Sequence, residues 1–343
     1  MATETDKKDI KDFTRKVWIA AGIVALVIVL LLLLKATFNV LLLLLAGVLI
    51  ALYFRGLSHT LHTKLRIPTK VALPTAVIAS ILLLALFFWF AGSSIRQQAN
   101  QLAETLPAAI DTFKQKLASS SFGRKVLEQI SGPESSQKAS AVLQNFFRGT
   151  FGVLGDIYIV LFLGIFFTAS PKVYAEGIIK LVPVKSRDKA WHVVNQVGTN
   201  LTKWLKGQLL AMLVVAILTA TGLLIIGVPM AFVLAIIAGL LNFIPNFGPL
   251  IAMVPAVLIS LMQGPTTALL VAGLYILVQT LESNLITPQI QKKMINTPPA
   301  LIIIAQLFMG VLTGVLGLLL AMPLVVIIMV VVQELYIKEQ EGK

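Results

Sequence analysis

The chain has 343 residues, of which 57% are hydrophobic and only 13% charged. A water-soluble domain carries about 25% charged residues, so this chain has about half the polar surface that water demands. Its length is better counted in membrane spans of about 20 residues each than in soluble domains. The formal charge of +13 would point to nucleic acid in a soluble protein. Here the basic residues sit in short loops between apolar runs, which is how topology is encoded. The partner implied is the lipid bilayer, with its anionic headgroups as an added attraction, and no nucleic acid. There is no cysteine, so disulfides, thiolate chemistry and Cys-ligated metals are excluded.

Residues 1–16 mix five basic side chains with Glu4, Asp6, Asp9 and Asp12 and read as a cytoplasmic N-terminus. No small-residue cleavage site ends the apolar run that starts at Val17, which predicts a retained span and not a signal peptide. Val17–Leu34 and Phe38–Phe54 predict a helical hairpin turning at Lys35. Arg55, Lys64, Arg66 and Lys70 follow, and Val71–Ile95 completes three transmembrane helices over residues 17–95. Residues 96–148 have the composition of a water-soluble segment, with Leu102, Leu106, Ile110, Phe113 and Leu117 at helical steps. They predict a small extramembrane helical insert.

Residues 149–170 form the fourth span, stopped by Ser170–Pro171. In 171–207, Ala190, Val194, Val197, Leu201 and Leu205 share a helical face flanked by Trp191 and Trp204, which suits a cytoplasmic helix lying at the interface. The transporter-like core is 208–333, and 334–343 is a cytoplasmic C-terminus. Its full spans are Gln208–Gly227 and Thr266–Leu281. Its other apolar runs are short. Met230–Phe243 and Leu250–Met262 flank Ile244–Pro245–Asn246–Phe247–Gly248–Pro249; Ala300–Leu312 and Leu318–Val332 flank Thr313–Gly314–Val315–Leu316–Gly317. Helices of about 14 residues reach about 20 Å, short of a 30 Å hydrocarbon core. Each pair, 229–263 and 299–333, reads as a broken helix, and Gly248–Met253 matches Gly317–Met322 at Gly, Leu, Ala and Met. The fold class is all-α and polytopic, with about six full spans plus these two interrupted pairs, conventionally eight spans.

With the termini inside, 20 of the 28 Lys and Arg residues fall on the inner side, which favours cytoplasmic termini. The two broken pairs then enter from opposite faces, the sequence pointer to a transporter's midplane site. A broken helix leaves backbone groups unpaired, and these persist in a membrane only against a cavity or a protein interior. The competing reading is two ordinary hairpins of short, tilted spans.

Among ionisable groups, Glu282, at the end of the sixth span beside Ser283 and Asn284, could bind a cation or exchange a proton. The alternatives for it are a headgroup-level carboxylate or an ion pair with Lys292 or Lys293. Asp156 reads as lying near the outer interface. Asn242, Asn246, Gln279 and Gln306 offer paired donors and acceptors near the breaks, for a hydroxylated solute or for helix-to-helix bonding. His59, His62 and His192 lie in predicted loops and lack zinc-site spacing, and no phosphate-binding glycine loop is present. The expectation is no enzyme, no cofactor and no metal.

Trp204–Gln208 opening a span, Gly227–Val228–Pro229 closing it, Ile244–Pro249, Glu282–Asn284 with Pro288, Pro299, and Gly310–Gly314 with Pro323 resemble the autoinducer-2 exporter family of permeases. The resemblance implies a prokaryotic inner-membrane protein linked to export of autoinducer-2 or to sodium–proton antiport. Relatives often have His before the proline aligned with Pro299; here Pro298 stands there, which puts a protonation role for that position in question. The functional expectation is a secondary transporter for a small solute or cation. Its site would involve Glu282, Asn242, Pro245, Asn246, Gly248, Pro249, Gln279, Asn284, Gln306, Gly314 and Gly317. The rivals are an oligomeric channel, since a homo-oligomer is left open, and a membrane scaffold.

Overall fold

The computed structural model describes residues 4–118, 157–286, 288 and 298–341, all helical or in turns. Asp156, Lys292, Lys293 and most of the predicted insert lie outside the described residues.

Helix α1 (Glu4–Leu65) is continuous for 62 residues, so the turn expected at Lys35 is absent. The reason is local: Leu34–Lys35–Ala36 contains neither Gly nor Pro, and Lys and Ala are strong helix formers. A single charge among leucines changes the solvent a helix prefers without ending it. Helix α2 (Thr69–Ala118) likewise runs through the expected boundary at Arg96. The part of the predicted insert up to Ala118 is therefore no separate subdomain. Leu102 and Ala109 pack into a core shared with later helices, and Gln98 Oε1 accepts from the Val233 amide.

Helix α3 (Ile157–Ala169) meets α4 (Pro171–Lys180) at a 90° bend, where Pro171 blocks continuation as the sequence implies. Against α1, Gly47 and Gly164 let the backbones approach: a side chain on either would collide with Leu163 or Ile50. Helix α5 (Arg187–Ile226) is a 40-residue spine. The stretch expected to lie flat at the interface is its first half, and the buried face there is Val193, Leu201, Trp204 and Leu205, with Trp204 in the core and not on the flank. Gly227 ends α5 at φ 80°, a left-handed cap for which glycine has no steric penalty.

The broken pairs are present. Helices α6 (Ala231–Leu241) and α7 (Phe247–Gln263) form a first hairpin, followed by α8 (Pro265–Leu281) and a π-turn at Glu282–Ile286. Helix α9 (Pro299–Val332) breaks at Gly314, with φ 65° and ψ −138°. Its two arms press together. In a straight helix Met309 and Gly317 would stand about 12 Å apart along the axis, yet a side chain on Gly317 would collide with the Met309 carbonyl. The same holds in the first hairpin, where a side chain on Gly248 would collide with the Leu241 carbonyl. The weak sequence match of Gly248 with Gly317 therefore marks one physical requirement met twice.

Two apolar cores share α5. One joins its C-terminal half to α2, α6, α7 and α8, through Leu223, Leu234, Ala252 and Val271. The other joins its N-terminal half to α1 and both arms of α9, through Leu42, Leu201, Trp204, Met309 and Val326. Gln263 at the open end of the first hairpin donates to the Gly227 carbonyl, at the C-terminus of α5. Glu334, beyond the second arm of α9, meets His192 near the N-terminus of α5 at 3.2 Å. The hairpins thus approach α5 from its opposite ends.

Candidate functional site: the meeting of the two broken helices

The chain between α6 and α7 turns too sharply for helical pairing, so its carbonyls need partners from elsewhere. Gln208, midway along α5, donates from Nε2 to the Asn242 carbonyl at 2.6 Å. Gln306, on the first arm of α9, donates from Nε2 to the Pro245 carbonyl at 2.8 Å. Phe243 stacks edge-on against Trp204 of α5, with ring centroids 5.6 Å apart at 75°. Asn246 holds φ 68° and ψ −50°, the centre of a γ-turn that the Phe247 amide closes onto the Pro245 carbonyl at 2.9 Å, and Pro249 falls in the first turn of α7, where its missing N–H costs nothing.

This junction is buried: Asn242 is 2% exposed and Gln306 fully enclosed. Among the described residues, Asn242 Nδ2 and Gln306 Oε1 have no hydrogen-bond partner. A buried amide atom left unpaired costs about 1–3 kcal/mol, and two of them belong to residues of this junction. None of Gln208, Asn242, Pro245 and Gln306 is ionisable, and the three amides can give and accept hydrogen bonds. Among the described residues no group of three His, Asp or Glu side chains converges to hold a metal.

The residues singled out in the sequence divide into three sets. Asn242, Pro245 and Gln306 meet at the junction, with Gly248 and Pro249 buried behind the tip, while Asn246 is exposed. Gln279, Glu282 and Asn284 form a separate polar cluster at the end of α8. There Gln279 Nε2 donates to Glu282 Oε2 at 3.1 Å and to Ser283 Oγ at 3.2 Å, and Asn284 Nδ2 caps the Thr280 carbonyl. Gly222 of α5 faces Leu274 of α8, and the two helices run antiparallel. Glu282 therefore comes level with about residue 214, about 9 Å along α5 from Gln208.

Gly314 stands apart: it is exposed, with open space where a side chain would be, and about eight residues or 12 Å beyond Gln306 on its arm. The tip of the first hairpin thus meets the flank of the second, and not its tip. Gln208 is the residue that sequence reasoning passed over. Its signal was present: it is the one amide on the stripe Leu201, Leu205, Gln208, Ala211 and Val215, whose other members are apolar and buried.

Comparison with known proteins accords with this architecture. A family model described as AI-2E family transporter matches residues 23–337. YueF of Bacillus subtilis is 28% identical over 301 residues, covering 83% of this chain and 81% of its own, and YrrI of the same organism is 29% identical over 189 residues, covering 52% and 54%. The names of both assign transport provisionally and give no substrate. The AI-2 transport protein TqsA of Escherichia coli is 30% identical over 105 residues, 30% of each chain. The chain belongs to the AI-2E transporter family and is a multi-pass membrane protein of the transporter class.

Proposed function

We propose that the chain is a secondary transporter moving a small hydroxylated solute past the junction of Gln208, Asn242, Pro245 and Gln306. Autoinducer-2, the solute in the name of the relative TqsA, is the first substrate to test. The observation that carries the reading is the Gln306–Pro245 bond between two hairpins that reach α5 from opposite ends, with Asn242 Nδ2 and Gln306 Oε1 unpartnered beside it. Oppositely inserted broken helices that meet near mid-depth are the general construction of a secondary-transporter site. A solute with hydroxyl groups would replace the Gln306–Pro245 bond and pair both free amide atoms. Water-filled access would then open on one side at a time as the hairpins part.

Glu282 is the coupling candidate, for a proton or for sodium, because it is the carboxylate nearest the junction along α5 among the groups identified. The protein would sit in a prokaryotic cell membrane with both termini cytoplasmic. The test is uptake of autoinducer-2 into proteoliposomes, with an internal pH dye and imposed sodium gradients in parallel. Saturable uptake that falls at least tenfold in Asn242→Leu and Gln306→Leu, with folding retained, supports the reading. Uptake that both variants leave unchanged overturns the site.

A further inference from the structure

A cleft lies away from this junction, where α1 ends and α2 begins. It is open, about 260 Å³ in volume, and lined by Arg55, Ser58, His59, His62 and Thr69 with two apolar neighbours. Arg55, His59 and His62 stand at spacings of four and three residues, so one face of α1 presents all three. From the geometry we infer that this cleft binds a phosphate group, borne by an anionic lipid headgroup or free in solution.

The chemistry of the lining is one-sided. The residues that line the cleft include one arginine and two histidines and not one Asp or Glu. Among the described residues the donors of the lining are only partly used. Arg55 Nε donates to the Thr168 carbonyl at 3.3 Å, and among the described residues that is the one hydrogen bond its guanidinium makes. That bond fixes the plane of the fork and leaves its Nη groups for a ligand. His62 Nδ1 pairs with the Ile67 carbonyl at 2.8 Å, which turns Nε2 outward for a partner. Thr69 opens α2, where the Val71 and Ala72 amides donate to the Pro68 carbonyl at 3.0 Å and the amides before them stand at the positive end of the helix dipole.

Depth selects the ligand. The apolar run of α1 stops at Phe54 and that of α2 starts at Val71, so the cleft sits where hydrocarbon gives way to headgroups. Basic pockets between spans at that level take phosphate-bearing headgroups. Arginine forks suit a phosphate's paired oxygens, and charge-assisted bonds of this kind are about twice as strong as neutral ones.

Native mass spectrometry and titration of the purified full chain decide the matter, with dioleoylphosphatidylglycerol, dioleoylphosphatidylcholine and inorganic phosphate as probes. Saturable binding of phosphatidylglycerol in preference to phosphatidylcholine is expected. His59→Gln and Ser58→Ala should each weaken it, and Arg55→Gln by about tenfold or more, the weight of a charge-assisted hydrogen bond. Lys64→Gln, outside the cleft lining, should leave it within about twofold. Because Arg55 also holds the Thr168 carbonyl, thermal unfolding accompanies each variant, and the Ser58 and His59 variants stand alone if Arg55→Gln fails to fold. Binding of inorganic phosphate with the same variant pattern, and no preference for phosphatidylglycerol, assigns the site to free phosphate. The inference is overturned if none of the probes binds saturably. It is also overturned if Lys64→Gln weakens binding as much as the cleft variants do.

Discussion

The Gln306 amide donates to the Pro245 carbonyl at 2.8 Å across 61 residues of sequence, joining the first arm of α9 to the tip of the α6–α7 hairpin. The Pro245 carbonyl also accepts from the Phe247 amide at 2.9 Å, so it keeps one partner if Gln306 is lost. Gln306→Ala should therefore destabilise by about 1 kcal/mol for the bond, plus the cost of the space left in a closed core. Gln306→Leu fills that space and removes the unpartnered Oε1, so it should be nearer neutral in stability while still abolishing solute flux. Thermal unfolding alongside proteoliposome uptake separates the two effects. A Leu variant that folds and transports normally would leave the amide a structural role only.

Gly248 and Gly317 make a second expectation, which tests the doubled hairpin construction. A side chain on Gly248 would collide with the Leu241 carbonyl, and one on Gly317 with the Met309 carbonyl, and backbone cannot move aside as a flexible side chain can. Overpacking of this kind costs about 1–3 kcal/mol or more. Gly248→Ala and Gly317→Ala should each lower the unfolding temperature or the folded yield. Gly177→Ala and Gly198→Ala, where nothing lies within 4 Å, should not. Equal behaviour of all four variants would mean that the arms do not pack as described.

These two glycines also show what the sequence made legible. The breaks were readable because Pro and Gly act through local geometry, and the repeated Gly–x–Leu–x–Ala–Met pattern followed from two hairpins solving the same contact. Asn242 and Gln306 are legible as candidates because polar residues beside a break must be bonded or used. The helices run on through Lys35 and Arg96 because charge and composition report solvent preference, whereas a helix stops where its backbone cannot continue. Gln208 was passed over because a span drawn to begin there treats a polar residue as an end marker. On a 40-residue helix it instead sits between two cores. That the first hairpin meets the flank of α9, and not Gly314, depends on how far each arm extends along α5. No local pattern encodes that.

The opposed entry of the hairpins predicts a labelling pattern. The chain has no native cysteine, so single cysteines report cleanly. Thr266, just beyond Gln263 at the C-terminal end of α5, and Lys338, beside Glu334 at its N-terminal end, are both exposed. A membrane-impermeant maleimide should label Thr266→Cys in intact cells, and Lys338→Cys only after the membrane is opened. Labelling of both from one side would place the two hairpins on the same face and remove the basis for alternating access.

Glu282 offers the sharpest test of coupling. Its carboxylate accepts from Gln279 Nε2 at 3.1 Å and from Ser283 Oγ at 3.5 Å, on a π-turn, an irregularity of helices that recurs at functional sites. Glu282→Gln preserves size and keeps a carbonyl oxygen for Gln279, so the variant should fold with an unfolding temperature close to that of the parent. Its effect falls on charge. If a proton or sodium ion is exchanged at this carboxylate, the variant should retain downhill solute movement, because the junction amides are untouched, and should lose accumulation driven by an imposed ion gradient. Glu282→Asp, with the charge retained on a shorter arm, should recover part of the driven flux. Gradient-driven accumulation that persists unchanged in Glu282→Gln would show that coupling, where it exists, runs through another group, and the polar cluster at the end of α8 would then be a cap for that helix.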